Sequence, residues 1–246
     1  MPAMVWPSAV LLGDSQTQLG WAEGGWVAGL ADTFQRRLDV VNRGFSGYNS
    51  RMLLAVLPDL LTSEEWGKAA VVVVFLGSND ASLPGANPEQ AVGVEEFGEN
   101  LLKIVAFLLG QGVARERLVL VTPPPVLPQA WAATLASRPG PRLASCKDQE
   151  LTRSLAEEVK AVAARLGVTL VDLFGALSRG GVRLESALSD GLHLGREGHT
   201  ALLALLVPVV WQKLGAGPAD PPQGPEWREL DNSDVAGSYK RWLSSK

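Results

Sequence analysis

Ser8-Ala9-Val10-Leu11-Leu12-Gly13-Asp14-Ser15 is a short, continuous apolar run that halts at a Gly-Asp corner. A run of this length without polar alternation reads as a strand covered on both faces, the kind found in parallel sheets sandwiched by helices. Ala70-Val71-Val72-Val73-Val74-Phe75-Leu76 repeats the pattern more strongly, being rich in β-branched residues and free of polar ones. Leu118 to Thr122 is another such run, broken by Pro123-Pro124-Pro125. Val40-Val41, very short, and Val168 to Leu173, more polar, complete a set of five.

Helical patterns lie between them. Trp26, Leu30, Phe34 and Leu38 recur every four residues, the spacing of one helix face. Further helices are expected from Asn49 to Leu57, from a cap at Asn87-Pro88-Glu89 to Leu109 with Gly110 as the stop, from near Leu143 to Leu166 before Gly167, and from Arg196 to Leu214. Strands alternating with helices imply a mainly parallel sheet with helices on both faces, an α/β fold. The second and fifth strands are the natural edges, since edge strands are short or polar. Right-handed crossovers then favour the order 2-1-3-4-5. Residues 1–214 are expected to form one domain, and the Pro/Gly-rich, then polar, stretch 215–246 a tail.

This order decides where chemistry can occur. Ligands of such sheets bind beyond the carboxyl ends of the strands, near the point where strand order reverses. Here that point lies between the first and third strands, so Gly13-Asp14-Ser15, Asn42-Arg43-Gly44 and Gly77-Ser78-Asn79-Asp80 should meet. Ser15 is the candidate nucleophile. The Ser15 N–H, the Gly44 N–H and the Asn79 side-chain amide are candidate donors to an oxyanion. Gly44 also fits a tight turn, and Asn79 a turn-former. A serine hydroxyl needs a base. Of the two histidines, His193 follows the fifth strand, with Asp190 three residues before it, close enough to fix its tautomer. Asp190 could instead brace the loop and leave a Ser-His dyad. His199, early in the last helix, is expected to face solvent or pack locally. Trp131 falls in a Pro-flanked loop after the fourth strand, as a pocket wall or a lid anchor that could touch substrate.

Composition narrows the classes. The 246 residues carry a net charge of −4, which provides no electrostatic footprint for nucleic acid or an anionic membrane. No apolar run is long enough for a membrane span. Cys146 is the only cysteine, so no intrachain disulfide forms, and two histidines without clustered ligands make a poor metal site. A reducing, cytoplasmic location is the expectation, with no signal peptide before the first strand. Neither a Gly-x-Gly-x-x-Gly nor a phosphate-binding loop follows the first strand, and the chain lacks Gly-x-Ser-x-Gly. Nothing in the sequence sets an oligomeric state.

Gly13-Asp14-Ser15-Gln16-Thr17, Asn42-Arg43-Gly44-Phe45-Ser46-Gly47, Gly77-Ser78-Asn79-Asp80 and Asp190-Gly191-Leu192-His193 resemble, in order, the four functional blocks of SGNH (GDSL-type) hydrolases. Asn42 to Ser50 and Ser189 to Leu194 are more similar to the isoamyl acetate-hydrolysing esterase homologues within that class, as is Pro225-Glu226-Trp227-Arg228-Glu229 in the tail. The resemblance spans nearly the whole chain; Gln16 and Ser78 occupy its variable slots. It implies a flavodoxin-like three-layer α/β/α sandwich, Ser15 as nucleophile, Gly44 and Asn79 as oxyanion donors, and Asp190-His193 as the rest of a triad. It also implies cofactor-free hydrolysis of small, acetate-like carboxylic esters. Thioester, lysophospholipid and acetylated-carbohydrate substrates would use the same triad.

Overall fold

A computed structural model of the chain describes residues 6–137, 146–179 and 183–245. Five strands, β1 (Ser8–Gly13), β2 (Asp39–Gly44), β3 (Ala69–Phe75), β4 (Leu118–Val121) and β5 (Thr169–Val171), form one parallel sheet in the order β2-β1-β3-β4-β5. The helices are α1 (Ser15–Gln18), α2 (Trp26–Thr33), α3 (Ser50–Val56), α4 (Ser63–Lys68), α5 (Val94–Gly110), α6 (Pro128–Ser137), α7 (Gln149–Leu166), α8 (Leu173–Ser178), α9 (Leu184–Ala187), α10 (Arg196–Leu214) and α11 (Val235–Ser244).

The twofold period of a strand divides the core into two halves. Val10, Leu12, Val72, Val74, Leu118 and Leu120 face α3, α5 and α7. Their neighbours Ala9, Leu11, Val71, Val73, Val119 and Val121 face α2, α8 and α10. Both faces of β1, β3 and β4 are therefore buried, which is why their sequences run apolar without alternation. The edge strands β2 and β5 are mostly only partly buried, as their polarity foretells.

Several boundaries differ from the sequence expectation, each for a local reason. α2 ends at Thr33 and Arg36 turns left-handed at φ 58°, although Phe34 and Leu38 stay buried on the same face as Trp26 and Leu30. α5 begins at Val94, not at Asn87. The carbonyls of Glu89 and Gln90 instead accept from Asn49 Nδ2, which folds residues 87–90 as a loop beside the strand ends. Gly110 is the last residue of α5, and the left-handed residue beyond it is Gly112, φ 84°. α7 begins at Gln149, where the Asp148 side chain caps the Leu151 N–H; Leu143–Ser145 lie outside the described residues. Gly167 and Gly215 close α7 and α10 in the left-handed conformation, as expected. β2 gains residues on both sides of Val40-Val41 by pairing with β1, whereas β5 is cut to three residues because Asp172 caps α8.

Within residues 215–245, the carbonyls of Gln223, Gly224 and Pro225 all accept from the Arg36 guanidinium, and α11 follows. No helix among the described residues is long and apolar enough to cross a membrane.

Candidate active site

Gly13, the last residue of β1, pairs in register with Gly44 of β2 and Phe75 of β3, so the loops leaving these strands start side by side. A Cβ on Gly13 would lie 2.3 Å from Thr17 Oγ1 and 2.5 Å from the Phe75 carbonyl oxygen, so only glycine allows so abrupt a strand-to-helix corner. Asp14 caps α1 by accepting from the Gln16 N–H at 2.8 Å. Ser15, first in the helix, is nearly fully buried and lines a cavity of about 500 Å³ at the carboxyl edge of the sheet.

His193 arrives from the far side of the sheet on a tight loop. Leu188 and Leu194 form an antiparallel bridge, and the Ser189 N–H donates to the His193 carbonyl at 2.8 Å. Within that loop Asp190 Oδ1 accepts from the backbone N–H groups of Leu192 (3.0 Å) and His193 (2.8 Å), while Oδ2 lies 2.8 Å from His193 Nδ1. One Asp190 oxygen thus braces the loop while the other contacts the imidazole. Burial would raise this carboxyl, but the hydrogen bonds from the His193 ring and amide, the imidazole's charge and the Leu192 N–H outweigh burial and hold it at about 2. His193 Nε2 lies 2.9 Å from Ser15 Oγ. With Nδ1 protonated against Asp190, Nε2 is free to accept the serine proton.

Trp131, expected in a loop, sits on α6 and is buried as a wall of the cavity. Its ring meets the His193 ring edge-on, with centroids 5.6 Å apart and planes at 77°. Asn79 also lines the cavity. Its Nδ2 donates to the Tyr48 carbonyl at 2.8 Å and lies 3.5 Å from Asp14 Oδ2, a marginal contact that leaves one N–H only weakly engaged. His199 is half-buried and lies outside the cavity lining; its Nδ1 has no hydrogen-bond partner among the described residues.

Gly44 does not fill the place expected of it. Its N–H donates to Asn42 Oδ1 at 2.8 Å, it is absent from the cavity lining, and a Cβ there would sit 2.2 Å from the Gln18 backbone nitrogen. Glycine at 44 lets β2 pack against α1. Three residues on, Gly47 lines the cavity with φ 86°. It is the third residue of a turn closed by the Tyr48 N–H on the Phe45 carbonyl (3.0 Å), the position a type II turn reserves for glycine. The turn does not use the Gly47 N–H, and Gly47, Ser46 and Ser15 all line the cavity. The sequence shows only that Gly47 stands two residues before Asn49-Ser50, where a helix cap follows.

Buried charge backs this loop cluster. Lys147, only 4% exposed, donates through Nζ to the Ser78 carbonyl (2.7 Å) and Ser82 Oγ (2.8 Å), bracing the segment that carries Asn79. Burial lowers the Lys147 ammonium, countered in part by Cys146, Asp14 and Asp80. Burial likewise pushes Asp14 up to about 7 and Asp80 up to about 6. Nothing in the local sequence marks Lys147 as buried. The remaining lining mixes apolar residues (Met52, Ala86, Trp131, Leu135, Cys146, Leu192) with polar ones (Ser46, Asn87, Glu89, Gln90).

Residues 11–201 match the family model described as the GDSL-like Lipase/Acylhydrolase family. Among curated proteins, the chain is 38% identical over 231 residues to the isoamyl acetate-hydrolyzing esterase 1 homolog of Bos taurus, covering 92% of this chain and 89% of that protein. The human counterpart is 35% identical over 93% of this chain and 90% of its own. A GDSL esterase/lipase of Arabidopsis thaliana is 34% identical over 78% of this chain and 81% of its own. Among solved structures, a lipase/acylhydrolase from Enterococcus faecalis superposes with a TM-score of 0.64 at 25% identity, covering 87% of this chain and all of that one.

Proposed function

We propose, from the premise that this chain belongs to the GDSL-like lipase/acylhydrolase family and is a carboxylic ester hydrolase, that it cleaves small, acetate-like esters through an acyl-enzyme on Ser15. The observation that carries the reading is the continuous chain Asp190–His193–Ser15, with links of 2.8 and 2.9 Å, opening on a cavity of about 500 Å³. Ser15 Oγ attacks the carbonyl carbon while His193 Nε2 takes its proton, and Asp190 steadies the imidazolium. The carbonyl π pair moves to oxygen, and the Ser15 N–H, the Gly47 N–H and the weakly engaged N–H of Asn79 receive the resulting charge. One such donor contributes on the order of 3 kcal/mol to the transition state. The intermediate collapses, the alcohol leaves with the proton from His193, and water repeats the sequence to free the acid.

The acetate preference is supported by the names of the isoamyl acetate-hydrolyzing relatives. The cavity far exceeds an acetyl group in volume, so most of it is left for the alcohol portion. The polar residues of its lining, Ser46, Asn87, Glu89 and Gln90, favour one second reading, deacetylation of a carbohydrate. The test is Ser15→Ala: turnover of p-nitrophenyl acetate and labelling by a fluorophosphonate should both vanish, and retained labelling would overturn the assignment. A series of acyl chain lengths, run beside alkyl acetates and acetylated sugars, separates the substrate readings. A preference for long acyl chains would refute the acetate assignment.

A further inference from the structure

Gln16, immediately after Ser15, is buried to 2% exposure, and none of its polar atoms is idle. Its backbone N–H is held by Asp14 Oδ1 (2.8 Å) and its carbonyl by Trp26 Nε1 (2.8 Å). Its side-chain amide reaches across the site to the histidine loop. There Nε2 donates to the Leu192 carbonyl at 2.8 Å and Oε1 accepts from the Leu194 N–H at 3.0 Å. These two backbone groups flank His193. Among the described residues, the only hydrogen bonds joining residues 14–18 to residues 188–194 are these two and the Ser15–His193 bond itself.

We propose that Gln16 is a positioning residue that sets the Ser15–His193 contact by gripping the main chain on both sides of the histidine. This rests on the reading of Ser15 and His193 as nucleophile and base. The task requires one donor and one acceptor on a single planar group, at the reach of two methylenes. Asparagine is a methylene shorter, methionine has no donor, and an ionised glutamate can accept from Leu194 but cannot donate to Leu192. Gln16 therefore links two segments more than 170 residues apart in sequence, and the Ser15–His193 separation no longer depends on the hydroxyl–imidazole bond alone. That bond must break and reform in every cycle, whereas the amide clamp holds throughout. Gln16 touches no reacting atom; it acts through His193.

Gln16→Met keeps the length and approximate volume but removes both bonds, freeing the loop to drift. A displacement near 1 Å between reacting groups costs up to about 10²-fold in rate. The expected result is a fall of about 10- to 100-fold in kcat and in the rate of fluorophosphonate labelling, with KM for p-nitrophenyl acetate changed less than about twofold. A labelling rate equal to that of the unmodified enzyme would overturn the proposal. Gln16→Glu covers the case in which Gln16→Met fails to fold. When protonated, the introduced carboxyl group restores both bonds; when ionised, it loses one and points negative charge at a carbonyl oxygen. The rate of this variant relative to the unmodified enzyme should therefore climb as pH falls, and a flat ratio would refute the clamp. Ser15→Ala, run alongside, separates the two failures. If that variant still labels, the nucleophile reading is wrong; if it does not while the Gln16 variants label normally, only the clamp is wrong.

Discussion

Gly44→Ala tests the assignment of that glycine to packing, because the strain it introduces can be read from distances. The new methyl would lie 2.2 Å from Gln18 N, 2.7 Å from Gln18 Cα and 2.8 Å from Thr17 C. All three are backbone atoms, so no rotamer change relieves the overlap. Ordinary contact begins near ~3.4 Å, so α1 and β2 must part by roughly 1 Å. Overpacking of this kind costs about 1–3 kcal/mol. In a chain of this size that lowers Tm by roughly 2 to 12 °C. The displaced atoms belong to the helix that begins at Ser15, so the 2.9 Å contact with His193 lengthens too. The labelling rate should fall by about 10- to 100-fold at temperatures where the variant remains folded. The measurements are a thermal melt and the second-order rate of fluorophosphonate labelling. A variant that melts with the unmodified protein and labels within about twofold of it would refute this account of Gly44.

Asp190→Asn keeps an acceptor for the two backbone N–H groups but turns an amide toward Nδ1, favouring the wrong tautomer; kcat should drop on the order of 10³- to 10⁴-fold, and a loss below tenfold would indicate a Ser-His dyad. Because the Asp190 carboxyl is held down at about 2, its stabilisation is complete above about pH 4 and is lost as pH falls through 2; acid melts of Asp190→Asn should lack that part of the decline. Asp14 titrates in the opposite sense: burial lifts it to about 7, so it costs nothing below about pH 4, erodes stability as pH rises from there to 7, and adds no further loss above that. Asp14→Asn preserves the cap on Gln16, and its Tm relative to the unmodified protein should rise as pH goes from about 4 to 7 and level off above that; a Tm difference independent of pH would contradict the buried neutral form.

The sheet was legible because its signal is local and redundant. β1, β3 and β4 are apolar on both faces, and that pattern alone implies helices above and below. The weak strands fell to the edges for the same reason reversed. What escaped notice was short or dictated by distant contacts. α4 is announced by a capping box, Thr62 with Glu65, that periodicity does not register over six residues. Helix α6 has Pro128 at its start, easily taken for the end of the preceding proline run. The start of α5 is delayed by Asn49, forty residues upstream, which captures the carbonyls of Glu89 and Gln90.

The site divides along the same line. Ser15, Asn79, Asp190 and His193 stand out in the sequence because each has a chemical type that the proposed reaction demands, and because strand order places their loops together. Gly44 was misjudged for a related reason. Strand order brings all of residues 42–47 to the switch point, and glycine type alone does not separate a residue admitting a neighbouring helix from one presenting an N–H. The separation comes from where each atom points: the Gly44 N–H is taken by Asn42, whereas the turn around Gly47 leaves its N–H unused at the cavity. Gln16 and Lys147 carry the point further. Neither side chain advertises a role, yet one grips the histidine loop and the other braces the asparagine loop, each through main-chain groups that the sequence does not display. The groups proposed to do the chemistry are specified by type, but the accuracy with which they meet is specified by backbone bonds. Substitutions in that second set should therefore slow the reaction without altering what the site can recognise.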